Sequence, residues 1–388
     1  MGYVSRKLKD DEYGSMSTEA QSAVRATAAI QPDFEGDYVI DEVVPLESGE
    51  VLVRPTQHYA IYGKLNAARD NAVFVAHALS GNAEVATWWP QLFKKPEAML
   101  DLDRDCVIGI NIFGSCYGST GPGSVDPETG RLYGPTFPLI NVRDMVRAQE
   151  KLITSLGIKK VKLAIGASIG GMQVLEWAVL FPDRVARAIS IGAAPLGAMG
   201  LGLNHLQRRA IMLDPKWAGG YYLPDDEPRG GLAIARALGV ISYKSVPLFE
   251  ARFGRKPNRT GENPWISTAA GQNGRFDIAG FLDYQGHKFN ERFDANAYIS
   301  ITRAMDTFDP VRAHASPFAA YGRIQAHVTM VGISTDWLFP PEDVRSMAVV
   351  MAAAGARCDY REMASNHGHD AFLAEPEHLV RILTPVFE

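Results

Sequence analysis

The feature that constrains this chain most is five residues long. Gly166-Ala167-Ser168-Ile169-Gly170 stands between an apolar run, Val161-Lys162-Leu163-Ala164-Ile165, and a helical stretch from Gly170 to Phe181 that stops before Pro182. A strand that becomes a helix within so few residues needs tight backbone torsions, so small residues must flank the serine. The serine oxygen is then expected at the carboxyl end of a sheet, over a helix N-terminus. A glycine-rich turn without chemistry can carry the same letters. The strand-turn-helix setting is what points to a nucleophile.

Other segments repeat this alternation. Ala72-Val73-Phe74-Val75-Ala76 and Cys106-Val107-Ile108-Gly109-Ile110-Asn111 are continuous apolar runs, as expected of strands buried on both faces. Val142 to Leu156 has helical periodicity and ends at Gly157, and Val185 to Ile191 reads as a further strand. Nearer the N-terminus, Tyr38-Val39-Ile40 and Val51-Leu52-Val53 flank the turn signal Glu47-Ser48-Gly49 and read as a hairpin, with His58 to Tyr62 as another strand. Residues 111–138 are Gly/Pro/Ser-rich and read as loop. The alternation breaks after Gly192. Leu203–Met212, Leu232–Ile241, Phe276–Phe289 and Ala295–Met305 look helical, and no buried-strand run appears until His327-Val328-Thr329-Met330-Val331. A helix from Pro341 to Ala354, a strand from Cys358 to Met363 and a last helix from Ala371 to about Leu383 follow. The fold class is therefore α/β, a mostly parallel sheet with helices on both faces. The expected division is a tail over 1–30, a core over 31–193 and 318–388, and a helical lid insertion over 194–317.

A nucleophilic serine needs a base, and the base needs an acid to orient it. In a strand-turn-helix architecture of this kind they follow in the order Ser, Asp, His. Asp336, in Ser334-Thr335-Asp336, lies just past the strand ending near Gly332, and His369 lies just past the strand ending at Met363. His367 competes with His369. The position of His369 at the mouth of a helix favours it as base. Asp336 could also be a helix cap or turn aspartate; Asp343, inside an expected helix, and Asp359, inside an expected strand, are less well placed rivals for the acid. Two backbone N–H groups should form an oxyanion hole, that of Ile169 after the nucleophile and that of Leu79 in His77-Ala78-Leu79-Ser80-Gly81. On sequence alone, Arg208 reads as a solvated helix arginine and Asp370 as a helix cap.

Composition excludes several classes. The 388 residues carry a net charge of −5, with no basic excess for a phosphate backbone, so no nucleic acid is expected as partner. Cys106, Cys116 and Cys358 are widely spaced and form no CxxC or Cys/His cluster. A disulfide framework and a zinc knuckle are excluded as organising principles, no metal is implied, and a reducing compartment fits. The first residues lack the apolar run of a signal peptide, and no stretch has membrane-spanning length, so a cytoplasmic protein with no membrane partner is expected.

Longer motifs carry a resemblance. His77-Ala78-Leu79-Ser80-Gly81, Gly114-Ser115-Cys116-Tyr117-Gly118-Ser119-Thr120-Gly121-Pro122, Tyr133-Gly134-Pro135-Thr136-Phe137-Pro138, Arg143-Asp144-Met145-Val146, Gly166 through Gln173, Leu282-Asp283-Tyr284-Gln285-Gly286 and Gly368-His369-Asp370-Ala371-Phe372-Leu373 resemble, in order, the homoserine O-acetyltransferase family. The resemblance runs from about Asp41 to the C-terminus. It departs from the common pattern at Ile169 and Ser115, where many relatives have Met and Gly. It implies an α/β-hydrolase fold with a helical lid, a homodimer packed through lid helices, and double-displacement acetyl transfer. Ser168 would be the nucleophile, with Asp336 and His369 as partners. It implies further that Arg208 holds the acceptor's carboxylate and Asp370 its ammonium. No tightly bound cofactor is implied. Acetyl-CoA enters as acyl-donor substrate and L-homoserine as acceptor. A serine acceptor, a succinyl donor and a plain esterase on the same fold remain open at this point.

Overall fold

The computed structural model describes residues 30–93, 99–261, 263–265 and 274–387. The tail expected over 1–30 lies, apart from Ile30, outside the described residues. Eight strands form one sheet: β1 (Phe34–Val39), β4 (Thr56–Tyr62), β5 (Ala72–Ala76), β6 (Cys106–Ile110), β7 (Val161–Ala167), β8 (Val185–Ile191), β9 (His327–Ile333) and β10 (Cys358–Met363). Their order is β1-β4-β6-β5-β7-β8-β9-β10. β1 and β4 run antiparallel at one edge, and every pairing from β6 to β10 is parallel.

Period-two packing explains the apolar runs. In β5, Phe74 faces one buried cluster while Val73 and Val75 face the other. A strand sandwiched this way has no solvent side on which a polar residue could stand. Helices α1 (Val142–Ser155) and α2 (Ile169–Leu180) pack against one another and α2 covers β7 and β8. α1 starts at Asn141, whose side chain accepts from Asp144 N while Asp144 accepts from Asn141 N, a reciprocal cap. α2 is buried over nearly its whole length, and its Trp177 ring meets Phe74 at 5.9 Å.

The N-terminal hairpin differs from the sequence reading. The turn over Glu47–Gly49 is present, with Gly49 at φ 88°, but it joins β2 (Val43–Pro45) to β3 (Val51–Val53). Tyr38 and Val39 pair further along the same two arms, Val39 opposite Thr56, in the main sheet. Val43 opposes Val53, so the ladder slips by one residue between the two sheets. Arg54, at φ 47°, sits in that slip. The final helix also differs. It is two pieces, α9 (Ala371–Ala374) and α10 (Pro376–Phe387), because Pro376 cannot donate to the preceding turn.

Between β8 and β9 no named strand occurs among the described residues. Instead come α3 (Ala198–Leu213), α4 (Arg229–Tyr243), α5 (Val246–Arg252), α6 (Asp277–Phe289) and α7 (Ala295–Asp306), followed after β9 by α8 (Pro341–Ala353). α4 packs on both α3 and α6, and α3 packs on α7. β8 and β9 are nevertheless adjacent and parallel, so this helical stretch leaves the sheet at its carboxyl edge and returns to the neighbouring strand at the amino edge.

Candidate active site

The turn after β7 is as tight as its letters require. Ser168 has φ 59° and ψ −130°, a conformation that L side chains rarely adopt. A Cβ on Gly166 would lie 2.5 Å from Gly170 C and O, and one on Gly170 would lie 2.2 Å from Ala76 O. Both glycines are therefore demanded by backbone approach. Ser168 N donates to Ile191 O at 2.9 Å, and its carbonyl accepts from Met172 N, so the main chain is pinned between β8 and α2. Its hydroxyl caps nothing and stands at the positive end of the α2 dipole.

His369 and Asp336 meet in the loops after β10 and β9. Nδ1 of His369 donates to Asp336 Oδ2 at 2.6 Å. The other carboxylate oxygen accepts from Leu338 N at 3.0 Å and Phe339 N at 2.9 Å, which fixes the carboxylate plane. The imidazole is buried among Phe339, Tyr243 and Phe372, with ring centroids 5.1, 5.9 and 5.9 Å away. Burial on its own would lower its pKa, but the adjacent Asp336 charge and hydrogen bond prevail, and it is raised above the ordinary histidine value. Nε2 is buried and makes no hydrogen bond. Gly192 ties this pair to the serine. It follows Ile191, which holds Ser168, and a Cβ on it would come within 3.3 Å of the His369 ring and 3.4 Å of Asp336 Oδ2. The rival His367 lies on the other side of Gly368, 4.0 Å from Glu375.

The loop after β5 carries Leu79, which is buried with Ile169 in one cluster. Sequence reasoning missed what holds this loop. His77 is fully buried, its Nδ1 donates to Ala78 O at 2.8 Å and its Nε2 accepts from Ile112 N at 3.2 Å. Burial pushes its pKa down to about 4, so it stays neutral with one fixed tautomer. Arg292, from the turn before α7, donates to Ser80 O at 2.9 Å and to Tyr117 OH at 2.6 Å, joining the helical insertion to the same loop.

Two expected residues have partners within the chain. Arg208 donates to Asp306 Oδ2 at 2.5 Å, linking α3 to the end of α7. Asp370 accepts from Lys244 at 2.7 Å. Burial would raise the Asp370 pKa, but the Lys244 ammonium prevails and holds it below the usual carboxylate range. A second guanidinium, Arg236 on α4, was not flagged by the motifs. It lies 5.8 Å over the Tyr243 ring, which itself packs on His369, and its Nε is buried without a partner. No cluster of three or more His, Cys, Asp or Glu suited to a metal ion occurs among the described residues.

A parallel sheet, a strained serine at a strand-to-helix turn and a buried His–Asp pair at the same sheet edge define the class, and residues 71–376 match the family model for the alpha/beta hydrolase fold. The chain is 46% identical over 342 residues to a homoserine O-acetyltransferase from Symbiobacterium thermophilum, covering 85% of this chain and 88% of that one. It is 41% identical to a homoserine O-succinyltransferase from Bordetella avium, covering 90% and 86%. It superposes on the crystal structure of homoserine O-acetyltransferase from Bacillus anthracis with TM-score 0.81 at 23% identity, covering 90% and 96%. Within the alpha/beta hydrolases, the chain belongs to the homoserine O-acetyltransferase family.

Proposed function

We propose that the chain transfers an acetyl group from acetyl-CoA to the hydroxyl of L-homoserine through an acyl-serine intermediate, a step of methionine biosynthesis in the cytoplasm. The observation that supports this reading is the buried His369–Asp336 pair with an unpartnered Nε2, next to Gly192, which follows the Ile191 that holds the strained Ser168. His369 takes the Ser168 proton as Oγ attacks the thioester, and the amides of Leu79 and Ile169 receive the oxyanion. CoA leaves with a proton from His369. The acceptor hydroxyl then gives its proton to His369 and attacks the acyl carbon, and Ser168 is released.

Arg236 is our choice for the acceptor's carboxylate, in place of Arg208. Each guanidinium has one buried nitrogen without a partner, Nε of Arg236 and Nη1 of Arg208, but Arg236 stands over Tyr243 whereas Arg208 is ion-paired with Asp306. A guanidinium forks onto a carboxylate, and Asp370 suits an ammonium. The helical segment 194–317 acts as the lid, with 31–193 and 318–388 as the core. A lid matters because water competes for the acyl-enzyme, and the Arg292 contacts support its closure over the Leu79 loop. A homodimer packed through the lid is supported by exposed apolar residues on it, Met199, Leu206, Leu213, Ile234 and Val246 among them. CoA is a substrate here, and no resident cofactor is needed. The test is CoA release from acetyl-CoA with and without homoserine. A pre-steady-state burst with acceptor-dependent turnover is expected, and turnover indifferent to homoserine would instead make the chain an esterase.

A further inference from the structure

Gln173, the last residue of the motif around Ser168, lies in the second turn of α2 and is fully buried. It ends a chain of polar side chains. Trp177 Nε1 donates to Gln149 Oε1 at 3.0 Å, and Gln149 Nε2 donates to Gln173 Oε1 at 2.7 Å. Gln173 Nε2 then donates to Ile169 O at 3.1 Å and to His77 O at 3.4 Å. Gln149 and Trp177 are fully buried as well. An indole nitrogen can only donate. It therefore turns the Gln149 oxygen toward itself, the Gln149 nitrogen must face the Gln173 oxygen, and Gln173 presents its N–H groups at the far end. The two atoms met there are both carbonyl oxygens. No polar side-chain atom of the three residues is left without a partner, and a buried polar chain satisfied in this way holds one geometry.

Those two carbonyls belong to the two segments that supply the proposed oxyanion amides. Ile169 follows the nucleophile, and His77 precedes Leu79 by two residues in the loop after β5. The peptide that carries the Leu79 N–H is held through its own carbonyl, Ala78 O, which accepts from His77 Nδ1 at 2.8 Å. The carbonyl of the peptide before it, His77 O, is the one Gln173 takes. The same loop lies hard against α2, since a Cβ on Gly170 would come within 2.2 Å of Ala76 O and 3.1 Å of His77 O. Backbone contact thus stops the loop from moving closer to the helix, and the Gln173 carboxamide stops it from moving away.

We infer that Gln173 is a positioning residue for the oxyanion hole, which ties α2 to the loop after β5 and so sets the separation at which the Ile169 and Leu79 amides meet one oxygen. It touches no substrate and moves no proton. Donors displaced from the developing oxyanion stabilise the transition state less while the thioester still binds, so the loss falls on the rate and spares the affinity. Acylation and deacylation should suffer together, because each passes through an oxyanion on the same two amides. This inference rests on the acyl-serine reading proposed above.

The test follows the CoA burst from acetyl-CoA in the wild type, Q173M, Q173E and L152A, the last a truncation of a buried α1 residue that serves as the stability control. Q173M should slow the burst by about tenfold to a hundredfold, with the half-saturating acetyl-CoA concentration within about twofold of the wild type. L152A should lower the urea midpoint at least as far and keep the burst rate within about threefold. Q173E keeps the side chain's shape. Neutral, it still donates one hydrogen bond; ionised, it sets a charge against two carbonyl oxygens. Its burst rate relative to the wild type should therefore fall by at least about tenfold between about pH 6 and about pH 9. A wild-type burst rate in Q173M overturns the inference, as does an equal slowing in L152A. Should Q173M not fold, a Q173E ratio that is constant with pH overturns it. Absence of a CoA burst in the wild type would instead overturn the acyl-transfer reading beneath it.

Discussion

His77 should make the stability of this protein steeply dependent on pH. Its ring is fully buried, donates to Ala78 O and accepts from Ile112 N, and has a pKa pushed down to about 4 from 6.5. In the unfolded chain the ring binds a proton below its ordinary pKa, while the folded ring stays neutral until about pH 4. The unfolded state therefore holds more protons throughout this window, so stability falls as pH falls through it. Carried over the full window, a depression of this size is worth roughly 3 kcal/mol, of which about 2 kcal/mol is already lost on going from pH 7 to pH 5. His77→Gln keeps an acceptor for Ile112 N and loses the bond to Ala78 O, a pH-independent cost of about 1 kcal/mol. The assay is urea unfolding followed by tryptophan fluorescence at pH 7, 6 and 5 for both proteins. The wild type should be the more stable at pH 7, and the order should reverse by pH 5. Parallel stability curves for the two proteins would refute the buried neutral imidazole.

Four further outcomes follow from the site. Ser168→Ala should lower acyl transfer by on the order of 10⁴-fold with the fold retained, as read by CoA release and circular dichroism. Arg236→Leu should cost roughly 2–5 kcal/mol in kcat/KM for homoserine while the CoA burst persists. Arg208→Leu should instead act on stability, by stranding the part-buried Asp306, and a loss of acceptor selection in that variant would return the clamp to Arg208. Asp370→Asn removes a charge that raises the His369 pKa and leaves Lys244 to lower it. The acid limb of the CoA burst should accordingly move to lower pH, and an upward shift would contradict the electrostatics described.

Much of the sheet was legible because of how it is buried. β5 and β6 have no solvent face, so their apolar runs mark them without ambiguity. The serine turn was legible because Gly166 and Gly170 are imposed by contacts under 3 Å, and letters that backbone sterics impose can be read back. The one-residue slip at Arg54 was not, since a strand-pairing register depends on a partner the local pattern does not name. Helix α5 escaped notice because it is seven residues long and none of it is fully buried, which leaves little periodicity to read. The partners of Arg208 and Asp370 come from residues 98 and 126 positions away, Asp306 and Lys244. Packing of α3 on α7 brings the first pair together, and packing of the end of α4 onto the His369 loop brings the second. His77 was in view as part of a motif, but its role depends on Ile112 N, an amide in the loop after another strand.

The central claim is a covalent acetyl group on Ser168, and intact-protein mass spectrometry reads it most directly. The wild-type enzyme is mixed with acetyl-CoA in the absence of acceptor and quenched in acid, and the acylated peptide is then mapped. The account predicts a mass gain of about one acetyl group, located on the peptide that contains Ser168, lost within a turnover when homoserine is added and absent from Ser168→Ala. An enzyme that acetylates homoserine at full rate with no acyl adduct, or with the adduct on another residue, would contradict it.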